Sequence, residues 1–175
     1  MTIQSLLSAD DGIIIRPLLA EDSLADLTAL LHRAYARLAG MGLRYMATHQ
    51  SVDVTRKRVE KGQCFVALAE GVICGTIIFK DTVQTSGSPW YDRPDVASVG
   101  QFAVDPALQG KGLGRQMMKL TEERALASGA RELALDTAEP ATHLIAWYAR
   151  LGYRHIEYAD WGHTNYRSVI MSKAV

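Results

Sequence analysis

The chain has 175 residues, 48% of them hydrophobic and 22% charged, which is typical of one compact domain with a substantial core. Its nineteen basic and nineteen acidic side chains cancel, so no overall field attracts DNA or an anionic membrane. The first twelve residues contain no basic segment and no long apolar run, so we expect neither a secretory signal nor a membrane span. We therefore predict a single cytoplasmic domain over residues 1–175, without nucleic-acid or membrane partners.

Possible metal ligands are scattered along the chain. Cys64 and Cys74 lie in apolar, strand-like runs and have no CxxC or Cys/His spacing. The five histidines form no HExxH or similar pair. We predict that both cysteines are core residues and that the chain has no metal site.

Hydrophobic periodicity, helix caps and turn residues divide the chain into alternating strands and helices. In chain order, the patterns predict a strand over 12–18, helices over 24–38 and 52–60, strands over 64–69, 72–80 and 96–104, a helix over 114–129, a strand over 131–137, a helix over 140–151, and two final strands within 152–161 and 165–175.

Three local signals support this assignment. Asp22 or Ser23 can cap the first helix, and the GMG stretch at 40–42 interrupts it. Glu70 and Gly71 separate two β-rich runs and so predict an antiparallel hairpin. The polar segment 81–95 contains Gly, Ser and two Pro residues and is predicted to be a long loop, a kind of segment that often carries function.

The element order is β, α, α, β, β, β, α, β, α, β, β. A strand, helix, strand succession near the middle favours a parallel pair there, whereas the hairpin is antiparallel. The sequence therefore predicts an α/β (α+β) fold with a mixed sheet.

The most informative segment is QFAVDPALQGKGLGRQMMKL, in which a strand leads into a glycine-rich loop and then directly into a helix. Glycine lets the backbone approach a ligand closely, and the free N–H groups of a helix's first turn attract phosphate. Lys111 and Arg115 add positive charge. The alternative is a structural glycine turn without a ligand.

Two other phosphate-binding motifs fit this segment poorly. A Walker loop needs Ser or Thr after its Lys, but Gly112 follows Lys111. A dinucleotide fingerprint needs GxGxxG, but the loop has GxGxG and comes after a strand too late in the chain for a first βαβ unit.

Gln109-x-x-Gly112-x-Gly114, preceded by VDP, resembles the acetyl-CoA signature Q/R-x-x-G-x-G/A of the GNAT superfamily of N-acetyltransferases. WYARLGY at 147–153 is similar to the later motif of that family, an aromatic-Tyr-x-x-x-Gly-aromatic block. The two motifs occur in the family's order and spacing, so the resemblance covers nearly the whole chain. It implies a mostly antiparallel twisted sheet of about seven strands with a parallel pair in the middle and about four flanking helices.

The resemblance also implies an acetyl-CoA site. The pantetheine arm lies along the backbone of Phe102, Ala103 and Val104 like an added strand, which is the logic of β-augmentation. The backbone N–H groups that cradle the pyrophosphate run from Gln109 or Gly110 to Arg115. The implied pyrophosphate-binding residues are Gln109, Gly110, Lys111, Gly112, Leu113, Gly114 and Arg115.

In this family a neutral amine usually attacks the thioester directly while a tyrosine protonates the departing thiolate, and Tyr148 occupies that position. A phenol suits this role because its ordinary pKa of about 10 keeps it protonated at neutral pH. Without the motif, Tyr148 reads as a packing residue on an amphipathic helix. The chain departs from the family at Ala141, where asparagine is often found; Thr142 and His143 are possible substitutes.

The general base and the acceptor amine are not specified by the sequence. The position that the family often fills with glutamate falls near Gln101, so a base comes from elsewhere or acts through water, and Asp92, Asp95 and His143 are candidates. Acceptor specificity is expected from residues 40–50, 81–95 and 161–166, which fit a small polar or amino-acid-like amine as well as a peptide terminus. The alternative function is a non-catalytic acyl-CoA-binding sensor or interaction module. Because family members often form homodimers, the resemblance also allows a homodimer.

Overall fold

The computed structural model describes residues 6–7 and 12–175. Eight strands form one sheet in the order β1-β2-β3-β4-β5-β6-β8-β7. Their bounds are β1 Leu6–Leu7, β2 Ile13–Pro17, β3 Gln63–Ala69, β4 Val72–Lys80, β5 Val96–Val104, β6 Glu132–Ala138, β7 Arg154–Ala159 and β8 Ser168–Ala174. The helices are α1 Leu24–Ala34, α2 Ala36–Gly40, α3 Val52–Val59, α4 Leu113–Ala127 and α5 Thr142–Arg150.

Only β5 and β6 are parallel; every other neighbouring pair in the described sheet is antiparallel. The predicted mixed sheet with a central parallel pair and flanking helices is therefore confirmed. The sequence does not predict β1, a two-residue edge strand in a segment without a clear alternating pattern. Most of residues 1–12, where we expect no signal sequence, lies outside the described residues.

The predicted hairpin joins β3 to β4 through Glu70 and Gly71. Both residues have positive φ, 50° and 78°, which gives the turn the twist that two-residue hairpins favour. Cys64 and Cys74 lie on these two strands and are buried, as predicted. Burial raises the pKa of the Cys64 thiol to about 11.

The first helix begins as predicted, with the Ser23 hydroxyl accepting a hydrogen bond from the Asp26 N–H at 3.1 Å. It ends earlier than predicted, because the backbone leaves the helical path at Tyr35 and α2 follows as a separate short helix. The Tyr35 hydroxyl donates to the Phe102 carbonyl at 2.8 Å, so this break positions a side chain against β5.

Helix α5 begins at Thr142, two residues later than the prediction from Pro140. Pro140 lies in the preceding turn, where the Ala141 N–H donates to the Ala138 carbonyl at 2.9 Å. The helix ends at Arg150.

Strands β5 and β6 pair over only three residues each, Val96–Ser98 with Glu132–Ala134. Beyond this point β5 continues beside β4 and β6 continues beside β8, so the two strands separate. A bulge in β5 accompanies the separation: Thr76 lies opposite Ala103, but Ile78 lies opposite Gly100. The middle of the sheet is therefore open at one end.

The two faces of the sheet bury different helices. Helices α4 and α5 contribute Met117, Met118 and Tyr148 to a core on one face. Helix α1 packs Leu27 and Leu30 on the other face. The separation of β5 from β6 leaves a gap in the sheet between these two faces.

Candidate active site

The loop between β5 and α4 presents a row of unpaired backbone donors. The amide N–H groups of residues 110–115 make no hydrogen bond to any described residue, whereas the next one, of Gln116, donates to the Gly112 carbonyl at 3.1 Å. Gly112 caps the fifteen-residue helix α4 without a side-chain hydrogen bond. Six consecutive amides without a partner at the positive end of a long helix are suited to binding an anion.

Two glycines shape this loop. Gly110 and Gly112 have φ values of 79° and 87°, the left-handed region that other residues enter at a cost. When residues with left-handed φ alternate with residues of ordinary φ, successive N–H groups point toward the same concave side of the backbone. This arrangement is a nest, which suits an anion. No atom lies within 4 Å of a Cβ placed on either glycine, so the backbone conformation, and not crowding by the protein, requires glycine here.

Gly114 has a different role from the other two. A Cβ placed on it would lie 3.4 Å from the Phe102 ring and 3.5 Å from the Trp147 ring. These rings stack with their centroids 6.0 Å apart and join β5 to α5. Gly114 therefore allows the first turn of α4 to pack directly against this aromatic pair.

Positive charge is available at the loop. Lys111 and Arg115 are exposed and form no ion pair with any described residue. Gln109 instead turns back toward the sheet, and its Nε2 donates to the Val104 carbonyl at 3.2 Å. The glutamine thus holds the loop to the strand end while the two cations remain free.

The end of β5 borders the opening in the sheet. The Asp105 N–H donates to the Cys74 carbonyl of β4 at 2.8 Å. Because backbone groups alternate in direction along a strand, those of Val104 point away from β4, toward the side where β6 has separated. Ala103 lies opposite Thr76 in the ladder with β4.

Tyr148 lies on α5 and is 9% exposed. Burial raises the pKa of its phenol above the ordinary value, and the neighbouring Tyr35, Tyr45 and Asp136 raise it further. The hydroxyl makes no hydrogen bond to another described residue and is not among the fully buried unpaired atoms. Tyr148 is therefore a protonated phenol that has no hydrogen-bond partner among the described residues.

A cavity of about 110 Å³ adjoins the opening between β5 and β6. Residues from β5, β6, α3 and the segments around Tyr35, Tyr45 and Tyr166 form its wall. The lining residues are Tyr35, Tyr45, Met46, Ala47, Arg58, Val99, Gly100, Gln101, Asp136, Trp161, His163, Thr164 and Tyr166.

Hydrogen bonds fix two of the cavity's polar side chains. The Tyr45 hydroxyl contacts the Thr137 hydroxyl at 2.8 Å and accepts from the Ala138 N–H at 2.8 Å. Asp136 accepts from the Tyr91 hydroxyl at 2.8 Å and from Trp161 Nε1 at 3.0 Å, one bond to each carboxylate oxygen. Asp136 is exposed at the cavity, so each oxygen keeps a free lone pair.

The three proposed bases lie outside the cavity wall. Asp95 forms an ion pair with Arg93 at 2.8 Å, which lowers the pKa of its carboxyl. Asp92 accepts from the Gly87 N–H at 3.0 Å within the long loop. His143 lies on α5, where burial lowers the pKa of its imidazole.

Two of the three predicted specificity segments line the cavity. Residues 40–50 provide Tyr45, and residues 161–166 provide Trp161 and Tyr166. The loop over 81–95 acts indirectly, through the hydrogen bond from Tyr91 to Asp136.

Sequence reasoning misses Arg58, Tyr35 and Asp136 as cavity residues. Only Asp136 leaves a usable signal, since it is a carboxylate in the interior of the mostly apolar strand ELALDTA. Arg58 and Tyr35 look like ordinary helix residues in the sequence. Their position depends on how α1 and α3 pack on the sheet.

Two further structural findings concern residues 6–7 and 12–175. Within these ranges no group of three or more His, Cys, Asp or Glu side chains could hold a metal ion. In the same part of the chain, no helix is long and apolar enough to cross a bilayer.

The strand, glycine loop and helix beside a split sheet agree with the arrangement expected of an acetyl-CoA-dependent acyltransferase. The profile of the Acetyltransferase (GNAT) family matches residues 27–153, well over half of the chain. The chain therefore belongs to the GNAT family of N-acetyltransferases.

Similar proteins agree with this assignment. The chain is 30% identical over 141 residues to the S-(2-succino)cysteine N-acetyltransferase of Bacillus subtilis, covering 78% of this chain and 81% of the relative. A GNAT acetyltransferase from Elizabethkingia anophelis with acetyl-CoA bound has the same fold, with a TM-score of 0.67 and 17% identity over 95% of this chain and 100% of the other. The ribosomal-protein-S18-alanine N-acetyltransferase of Escherichia coli also has this fold, with a TM-score of 0.67 and 20% identity over 93% and 94% of the two chains. Acetyl-CoA is accordingly the cosubstrate.

Proposed function

We propose that this protein transfers the acetyl group of acetyl-CoA to a primary amine by direct attack, with Tyr148 as the general acid. The observation that carries the proposal is the row of free amides at 110–115 beside the split between β5 and β6. An anion held on those amides places the rest of an acyl-CoA along β5, where the Val104 backbone groups are directed to the opening. Tyr148 lies on the neighbouring helix α5.

In the proposed reaction, the amine nitrogen attacks the thioester carbonyl carbon, a C–N bond forms and the C–S bond breaks. The thiolate takes the proton of the Tyr148 hydroxyl, and the proton released by the amine restores the phenol through solvent. Tyr148 carries its proton at neutral pH because the ordinary pKa of a phenol is about 10, and burial raises the pKa of Tyr148 further.

The proposal includes Asp136 as the carboxylate that receives the amine. It lines the cavity, and bonds from Tyr91 and Trp161 fix its two oxygens. Free lone pairs on those oxygens can orient the amine and accept its proton, directly or through water. Gln101, which also lines the cavity, has no group that can serve as a base at neutral pH.

The first experiment is thermal unfolding with and without acetyl-CoA, with ATP and NAD as controls. A ligand that binds only the native state at about 100 times its Kd raises stability by about 2.7 kcal/mol. A shift specific to acetyl-CoA is expected. An equal shift with ATP, or none with acetyl-CoA, overturns the assignment of the loop.

The second experiment measures CoA release with a panel of primary amines. S-(2-succino)cysteine belongs in this panel because a relative is named for its acetylation. We expect acetylation of at least one amine, with the acetyl group on nitrogen by mass spectrometry. Binding of acetyl-CoA without transfer to any amine would instead support the sensor function.

A further inference from the structure

One part of the cavity wall has more hydrogen-bond donors than acceptors. It consists of Arg58 on α3, Gln50 before α3 and Gln101 in the β5 bulge, and we call these three residues the donor wall. Arg58 and Gln101 line the cavity directly, whereas Gln50 lies behind them and is 2% exposed.

The chemistry of Arg58 sets the direction of the amides in the donor wall. Arg58 donates to Oε1 of Gln50 at 2.8 Å. A guanidinium has donors only, so the Gln50 oxygen must face it. The Gln50 nitrogen then donates to the Thr55 hydroxyl at 2.7 Å and to Oε1 of Gln101 at 3.1 Å. The Gln101 nitrogen is consequently the atom left without a partner.

The unpaired nitrogen of Gln101 is an unusual feature of a folded protein. The residue is 4% exposed, and its Nε2 is buried with no hydrogen-bond partner among the described residues. Buried donors are nearly always paired, because leaving one unpaired costs stability. Gln101 also has a φ of 48°, which a residue with a side chain rarely adopts. A strained backbone that holds an unpaired donor beside a cavity indicates that a ligand provides the acceptor.

Arg58 adds a positive charge that no described residue neutralises by direct contact. Its side chain is half-buried and forms no ion pair with a described residue. Its guanidinium donates instead to the neutral amide of Gln50. Burial lowers the pKa of Arg58, and Asp136 opposes this effect by its charge without touching it. Burial also lowers the pKa of Lys80, and the charge of Arg58 lowers it further. Arg58 and Lys80 therefore interact as like charges, with Asp136 as an opposing charge on both.

We propose that the acceptor is a small amino acid whose carboxylate binds Arg58 and Nε2 of Gln101 while its amine is held by Asp136. This inference names the substrate class and rests on the acetyltransferase activity proposed above. A carboxylate provides the acceptor atoms that the donor wall lacks, and the carboxylate of Asp136 provides the opposite charge that an ammonium group requires. The cavity of about 110 Å³ has room for a group the size of an amino acid.

The test compares amines that differ only in the carboxylate. CoA release is measured with the twenty common L-amino acids, with S-(2-succino)cysteine, and with the α-carboxamide of each acceptor found. We expect kcat/KM to fall about 10- to 100-fold from acid to carboxamide, the size of a lost charged hydrogen-bond pair. Equal rates for acid and carboxamide overturn the inference.

Variants assign the effect to the donor wall. Arg58→Gln should lower kcat/KM for the acid about 10- to 100-fold and change that for the carboxamide less than about two-fold. Arg58→Lys should recover part of the loss, because it retains the charge but not the guanidinium fork. Arg56→Gln is the matched control, since Arg56 lies on the same helix, exposed and paired with Asp53. A loss of equal size for acid and carboxamide in Arg58→Gln contradicts the inference.

A binding measurement separates this inference from the proposed function. Thermal unfolding in the presence of CoA is followed with each amino acid and with its carboxamide. If an amino acid stabilises the wild type but not Arg58→Gln, and is not acetylated, the carboxylate site stands and the transferase function fails. If carboxamides or simple alkylamines are acetylated as well as amino acids, the function stands and the carboxylate site fails. Peptides with a free N-terminus, acetylated faster than any free amino acid, also exclude the small acceptor.

Discussion

The coenzyme loop and the acceptor cavity are built in opposite ways. The loop is one continuous segment, residues 104–115, and it offers backbone N–H groups whose direction depends on Gly110 and Gly112. The cavity is made of side chains from residues far apart in the chain, such as Tyr35, Arg58 and Asp136. A backbone site tolerates many side chains and stays recognisable in a sequence. A side-chain site can change its acceptor by substitution without disturbing the loop.

The largest expected effect separates chemistry from coenzyme binding. Tyr148→Phe removes the proposed proton donor, and general acids contribute about 10²- to 10⁴-fold. We expect kcat to fall by that factor while the Kd for acetyl-CoA, measured by calorimetry, changes little. Tyr158→Phe, at an exposed position on β7, is the matched control. An unchanged kcat in Tyr148→Phe would remove this residue from the mechanism.

A second variant tests the loop as a backbone site. Gly112→Val forces a β-branched residue into φ 87°, at a cost of about 1–2 kcal/mol, and a valine there also obstructs the approach of the pyrophosphate. We expect acetyl-CoA affinity to drop about ten-fold or more. Gly129→Val is the control: Gly129 has φ 85° and open space around it, but it lies at the other end of α4. Unchanged affinity in Gly112→Val, or equal loss in both variants, contradicts the assignment.

A smaller effect is expected from the charge at the loop. Lys111→Ala should raise the Kd for acetyl-CoA only about two- to five-fold, because an exposed charge pair contributes about 0.2–1 kcal/mol. The difference should shrink in high salt. Lys119→Ala, further along α4, should have no effect. A loss larger than that of Gly112→Val means that side-chain charge, and not the backbone, is the main source of coenzyme binding.

The smallest expected effect concerns pH. A free phenol has an ordinary pKa of about 10. Because burial raises the pKa of Tyr148 above this value, Tyr148 stays protonated to higher pH than a free phenol does. The rate should rise towards pH 10 as the acceptor ammonium loses its proton, without a decline from ionisation of Tyr148. Rates are measured from pH 6 to 10, with circular dichroism to confirm that the fold persists. A decline below pH 10 that disappears in Tyr148→Phe contradicts a raised pKa.

Most elements are predictable because their signals are local. The strand over 96–104 has the predicted bounds, and the turn at Glu70 and Gly71 joins β3 to β4 as predicted. The predicted position of the break in the first helix is wrong. The prediction places it at the GMG stretch, whereas the helix breaks at Tyr35. The side chain of Tyr35 bonds to Phe102, 67 residues away. No local pattern reports such a contact.

By itself, the sequence determined the order of the elements, the glycine loop and the family, because periodicity, turn residues and a continuous motif are properties of neighbouring residues. Tertiary structure decided where β5 and β6 separate, which carboxylate faces the cavity and which donors remain unpaired. Asp136 lies on β6 and Arg58 on α3. The Gln101 nitrogen is left without a partner because Gln50 accepts from Arg58 and donates to the Gln101 oxygen. Such a network exists only after packing has brought these side chains together, so the acceptor site is a property of the fold.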